Sequence, residues 1–100
     1  MSNKLTLRIL DKAEEDMSLI ATCIAKDNSS AAVDLLKQFY VIFDTLSKYP
    51  NLGFRRKDVT YEDVKFYVVR KNYLILYKIE ESTLFILRVL TAYQDICALL

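Results

Sequence analysis

The chain opens on an alternation of apolar and polar residues. Leu5, Leu7 and Ile9 alternate with Lys4, Thr6 and Arg8, and that period of two predicts a strand over residues 4–9 with one buried face. The period then lengthens to that of a helix, with Ala13, Met17, Ile20 and Ile24 forming one apolar stripe. Asp11, followed three residues on by Glu14, resembles a capping box with Asp in place of the usual Ser or Thr. The acidic first turn Glu14-Glu15-Asp16 suits the positive end of the helix dipole. Asp27-Asn-Ser-Ser30 interrupts the stripe and reads as a tight connection carrying a cap for a second helix. That helix is expected over Ser30–Lys48, its core stripe made by Ala32, Leu35, Leu36, Phe39, Phe43 and Leu46 and widened by Tyr40 and Ile42. Pro50 ends it, with Gly53 just beyond.

Residues 51–62 read as a polar loop. Three dense apolar runs follow, near 64–69, 73–79 and 84–91, separated by short polar turns at Lys71-Asn72 and Glu80-Glu81-Ser82. Their Tyr, Val, Phe and Ile content predicts strands joined as an antiparallel meander. From Asp95 onward the chain is apolar and predicts a short helical turn. The first strand must join the same sheet, because alone it leaves its backbone groups unsatisfied. The predicted architecture is α+β. A strand, an antiparallel helical hairpin and a three-stranded antiparallel meander make one sheet packed on the helices, in a single domain over residues 1–100.

Composition bounds what such a domain does. The chain has 100 residues, 53% of them hydrophobic, and a formal net charge of +1, enough apolar material for a core and too little charge for disorder. Residues 55–71 carry a modest basic excess, with Arg55, Arg56, Lys57, Lys65, Arg70 and Lys71 against Asp58, Glu62 and Asp63. This falls well short of a DNA-binding stripe. Cys23 and Cys97 follow no metal or redox spacing and read as buried thiols. The N-terminus, polar and then alternating, does not read as a signal peptide, and no apolar run approaches the roughly 20 residues that span a bilayer. A soluble, cytoplasmic protein without membrane contact is expected.

Little catalytic chemistry is on offer. Histidine is absent and there is one glycine, so neither the common general base nor a glycine-rich phosphate loop is present. No catalytic set, metal site or cofactor is expected. Glu14-Glu15-Asp16 and Glu80-Glu81 read as a helix start and a turn, and Ser29-Ser30 as a cap. What remains is a set of cations and tyrosines on the sheet: Arg55, Arg56, Lys65, Tyr67, Arg70, Arg88 and Tyr93. Such groups can bind phosphate or the carboxylates of a partner. Strand alternation puts Lys65, Tyr67 and Val69 on one face and Val64, Phe66 and Val68 on the other. It also groups Leu84, Ile86, Arg88 and Leu90. Arg88 is the awkward residue, since an arginine inside an apolar strand either faces a partner or pairs with a carboxylate such as Asp95 or Asp63.

Four segments together resemble the RelE/ParE toxins of bacterial type II toxin–antitoxin systems. They are Asn28-Ser-Ser-Ala-Ala32, Leu46-Ser-Lys-Tyr-Pro-Asn-Leu-Gly53, Asn72-Tyr73 with Leu-Ile-Leu-Tyr77, and Ile86-Leu-Arg-Val-Leu-Thr-Ala-Tyr-Gln-Asp95. The resemblance implies a plasmid-stabilisation toxin that arrests growth. It also implies a cognate antitoxin whose extended, partly helical segment wraps the helices and sheet in a toxin–antitoxin hetero-oligomer. Members of the RelE branch cut mRNA on the ribosome with basic residues and a C-terminal tyrosine. Aligned on Asn72-Tyr73, this chain keeps Lys65 but holds Tyr67, Leu74, Ala92 and Ala98 at the other positions of that set. A nuclease here would need a rearranged site of Lys65, Arg70, Arg88 and Tyr93. The ending Arg88-Val-Leu-Thr-Ala-Tyr-Gln-Asp95 resembles the ParE branch, whose members inhibit DNA gyrase, although Thr91 replaces a frequent histidine. The resemblance therefore points to a ParE-like gyrase inhibitor. The alternatives are a ribosome-dependent mRNA endonuclease and an inactive homologue that keeps only antitoxin binding.

Overall fold

The computed structural model describes residues 4–55, without the Arg55 side chain, and residues 64–91. Strand β1 (Thr6–Ile9) leads into helices α1 (Asp11–Ala25) and α2 (Ser29–Lys48). A single 3₁₀ turn (Pro50–Leu52) follows, then strands β2 (Phe54–Arg55), β3 (Lys65–Val69), β4 (Tyr73–Glu80) and β5 (Thr83–Thr91). The sheet order is β1-β5-β4-β3-β2. The meander β3-β4-β5 is antiparallel as expected, and β1 joins it by lying parallel to β5, with Leu7 beside Leu84 and Ile9 beside Ile86.

Both helices bury their predicted stripes against one sheet face. Ala13, Met17 and Ile20 of α1 and Leu35, Phe39, Phe43 and Leu46 of α2 meet Val69, Ile75, Tyr77, Leu84, Ile86 and Val89 in one core. Phe39 anchors it, stacked on Phe43 at 6.4 Å and edge-on to Tyr73 at 5.6 Å, a geometry that suits the ring quadrupoles. Asn28 caps α2, its Oδ1 accepting from the Ala31 N–H at 3.0 Å.

Four local expectations are corrected. The capping box at Asp11 does not form. Leu10, extended at φ −72 and ψ 155, is the N-cap and offers no side-chain bond, while Asp11 is already helical. The predicted loop after Gly53 contains β2, a two-residue strand too short to show a period. The first hairpin turn takes three residues, Arg70-Lys71-Asn72, one more than the expected Lys71-Asn72, with positive φ at Arg70 and Lys71 (52 and 65) and the Asn72 N–H donating to Val69 O at 3.2 Å. Cys23 is half-buried, short of the full burial expected. Cys97, with the helical turn expected after Asp95, lies outside the described residues.

The connection after α2 is fixed by one buried hydroxyl. Tyr77 is fully buried, donates from its OH to Pro50 O at 2.8 Å and accepts from the Gly53 N–H at 2.9 Å. A Cβ on Gly53 would lie 2.8 Å from two Tyr77 ring carbons and closer still to the hydroxyl. Glycine is required here for close approach, its φ of −78 being open to any residue.

Candidate partner-binding surfaces

A bulge in β5 decides where Arg88 goes. Tyr77 pairs with Ile86 while Leu76 pairs with Arg88, so Leu87 is the extra residue. The buried positions of β5 accordingly run Leu84, Ile86, Val89. The grouping of Arg88 with Leu84 and Ile86 is thereby overturned, because the bulge moves Arg88 to the opposite face, in the cross-strand row of Leu76, Phe66 and Phe54.

Arg88 is also already partnered. Its Nε donates to Asp16 Oδ2 at 2.7 Å and its Nη2 to Asp16 Oδ1 at 3.0 Å, a two-point fork. Asp16 Oδ2 further accepts the Val89 N–H at 3.0 Å. Strand β1 stops pairing at Ile86, so the edge of β5 beyond it needs an acceptor, and α1 supplies one. The Asp16 bond and charge raise the Arg88 pKa still further, so the guanidinium stays charged. The partner is therefore Asp16, a member of the acidic first turn of α1. Asp63 and Asp95, the carboxylates expected from sequence, lie outside the described residues. Only the spacing of Asp16 from Met17 and Ile20, which sets it beside the buried stripe, hints at this role in the sequence.

The other candidates scatter. Lys65 starts β3 and donates from Nζ to Asn51 Oδ1 at 2.9 Å. Tyr67 packs against the core. Arg70 is exposed in the β3–β4 turn, at the far end of β3 from Lys65. Arg55 pairs with Lys65 in the sheet, while Arg56 and Tyr93 lie outside the described residues. Lys65, Arg70 and Arg88 do not converge on one point, and convergence is what acid–base or phosphodiester chemistry needs.

Two apolar surfaces stand out instead. The sheet face away from the helices is apolar, carrying Phe54, Phe66, Val68, Leu74, Leu76 and Leu90. Phe54 and Phe66 stack at 5.9 Å; Phe54 and Val68 are exposed, whereas Phe66 is buried. On the opposite side an open groove of about 600 Å³ runs between α1 and α2, lined by Met17, Ala21, Ala25, Ala32, Leu36 and Tyr40 among others. Small residues let another element approach its floor closely. Among the described residues no group of acidic, cysteine or histidine side chains could hold a metal ion, and no helix is long and apolar enough to cross a membrane.

A hairpin of helices packed on a mixed sheet is the α+β architecture of RelE/ParE-like proteins. The model of the family described as ParE toxin of type II toxin-antitoxin system, parDE, matches residues 7–96, and the chain belongs to that family. Among solved structures it is similar to a chain of the chromosomal ParDE TA system from P. aeruginosa, with a TM-score of 0.73 and 17% identity over 88% of this chain and 96% of the other. At that identity the likeness speaks for the fold. A search of curated proteins gave no match.

Proposed function

We propose that the chain acts as the toxin of a type II toxin–antitoxin pair in the cytoplasm, inhibiting DNA gyrase and silenced by a cognate antitoxin in a hetero-oligomer. Membership of the ParE toxin family over residues 7–96 carries this reading. The make-up of the sheet supports gyrase over the ribosome. Where the nuclease branch places working groups, Tyr67 is partly buried against the core and Leu74 lies on the apolar face. Arg88 of β5 is held by Asp16. A toxin that works by binding needs contact area and no reacting group. The antitoxin has the interhelical groove and the exposed part of the outer sheet face at Phe54 and Val68 to cover, and exposed apolar surface of this kind marks protein interaction. Arg70 and Lys71 at the exposed β3–β4 turn are proposed as cationic contacts to target or antitoxin.

The test is supercoiling of relaxed plasmid by purified gyrase with increasing amounts of the protein, beside primer extension on translated mRNA. Loss of supercoiling with intact mRNA is expected. Unchanged supercoiling at saturating protein together with new mRNA ends would replace this reading by the nuclease one. Neither effect, with antitoxin still bound, would make the chain an inactive homologue.

A further inference from the structure

The solvent face of α2 is patterned for a second copy of itself. Helix geometry turns each residue by about 100°, so Val33, Asp34, Lys37, Tyr40, Val41, Asp44 and Lys48 fall within about 120° of arc, opposite the core stripe. The apolar members are well exposed, with Val33 at 50%, Tyr40 at 49% and Val41 at 64%; Val33 and Tyr40 also line the interhelical groove, so self-docking here and an antitoxin in that groove exclude one another. The Tyr40 ring is held edge-on against Phe43 at 5.8 Å, so it is already ordered before any partner arrives.

The charges on this face read −, +, −, + along the helix, as Asp34, Lys37, Asp44 and Lys48. Reversing the helix turns that order into its complement. We propose that two copies dock through α2, antiparallel, about a two-fold axis at Tyr40 and Val41. Lys37 of each copy then meets Asp44 of the other, and Asp34 meets Lys48. The sideways offsets agree as well, since Asp34, Lys48 and Val41 lie on one side of the face and Tyr40 and Val33 on the other. A two-fold axis keeps each side with its own kind, giving a Tyr40–Tyr40 and a Val41–Val41 contact flanked by ion pairs. Asp34 and Lys37 have no ion pair among the described residues, whereas Asp44 already carries Lys4 and Lys48. A parallel arrangement would set like charges against each other, so the pattern selects direction.

One helix face about 22 Å long buries an area at the low end of specific interfaces, so a dissociation constant on the order of 10 μM is expected. The experiment is sedimentation equilibrium of the purified chain, free of other proteins, from about 1 to 100 μM, a range that brackets such a constant. The wild type should pass from monomer to dimer, less so at high salt. Lys37→Glu and Asp44→Lys should each weaken self-association by tenfold or more, because each sets two like-charge pairs across the axis. Mixing the two variants should restore a dimer of one copy each. Val41→Glu, at a position too exposed to disturb folding, should abolish it. A wild type that stays monomeric at 100 μM overturns the proposal, as does dimerisation indifferent to Lys37→Glu and Val41→Glu. Association seen only with another protein bound at this face assigns it to that partner and overturns the proposal too.

Discussion

Asp16 and Arg88 stand 72 residues apart in the chain and form a two-point ion pair that fastens helix α1 to the edge of strand β5. The pair sits between two regimes. Arg88 keeps 40% of its side chain exposed and Asp16 only 15%, so solvent screens one end and hardly the other. Asp16 also satisfies the Val89 N–H, and losing that bond leaves a backbone donor unpaired beside the core.

Removing either side chain should therefore cost unequally. Asp16→Ala deletes three hydrogen bonds and should destabilise the fold by about 2–3 kcal/mol. Arg88→Ala leaves Asp16 bound to Val89 and should cost about 1–2 kcal/mol. Urea denaturation of the two single variants and the double variant closes the cycle. A coupling near zero would mean that the pair only decorates the surface. Because Arg88 is engaged, its loss should lower stability before it lowers binding.

Much of the fold was legible in the sequence because the long segments keep one period throughout. The stripes of α1 and α2 and the three runs of the meander each repeat for several turns or several residues. The failures share a cause: each depends on a partner distant in the chain. Nothing local marks Leu87 as a bulge, and one extra residue is enough to move Arg88 to the other face. Asp11 and Glu14 have the spacing of a capping box, yet Leu10, whose N–H bonds to Ile86 O in the sheet, takes the cap position instead. Strand β2 has two residues and no period at all. The binding surfaces were legible as chemistry, cations among apolar strands, but not as geometry, since pairing decides which cations are already used.

The two meander turns offer stabilisation. Arg70, Lys71, Glu81 and Ser82 all hold positive φ, between 48 and 66, a region that favours Asn and Gly. Glu80 pairs directly with Thr83, so Glu81-Ser82 is a two-residue hairpin turn. Replacing it by Asn-Gly should relieve that strain and raise stability by about 1 kcal/mol. Thermal unfolding should show a higher midpoint. An unchanged or lower one would mean that the present residues make compensating contacts.

Gly53 should tolerate no side chain. Gly53→Ala drives a methyl into the Tyr77 ring, which is fully buried and has no room to retreat. A loss of about 2–3 kcal/mol is expected, in the range of overpacked cores. Gly53→Ala combined with Tyr77→Leu should lose less than the sum of the two single changes, since removing the ring removes the clash. Strict additivity would place the glycine requirement elsewhere.

Tyr77 also predicts how stability depends on alkaline pH. Burial disfavours the phenolate and pushes the Tyr77 pKa above its ordinary value of 10.0. The Tyr67 hydroxyl adds to the shift, and the Gly53 N–H bond only partly offsets it. The sign follows from linkage. Between the unfolded and folded pKa the unfolded chain has lost this proton and the folded chain still holds it, so raising the pH favours unfolding. The Tyr77 contribution is thus fully present below about pH 10 and declines as the pH rises from there through the folded value. Tyr77→Phe removes the titrating group but also strips Pro50 O and Gly53 N–H of their partner, costing about 1–3 kcal/mol at neutral pH. The variant should accordingly be less stable than wild type at pH 7, and the gap should narrow above about pH 10. Parallel stability curves for the two proteins from pH 7 to pH 11.5 would show that Tyr77 does not govern the alkaline limb, and that another tyrosine or the lysines do.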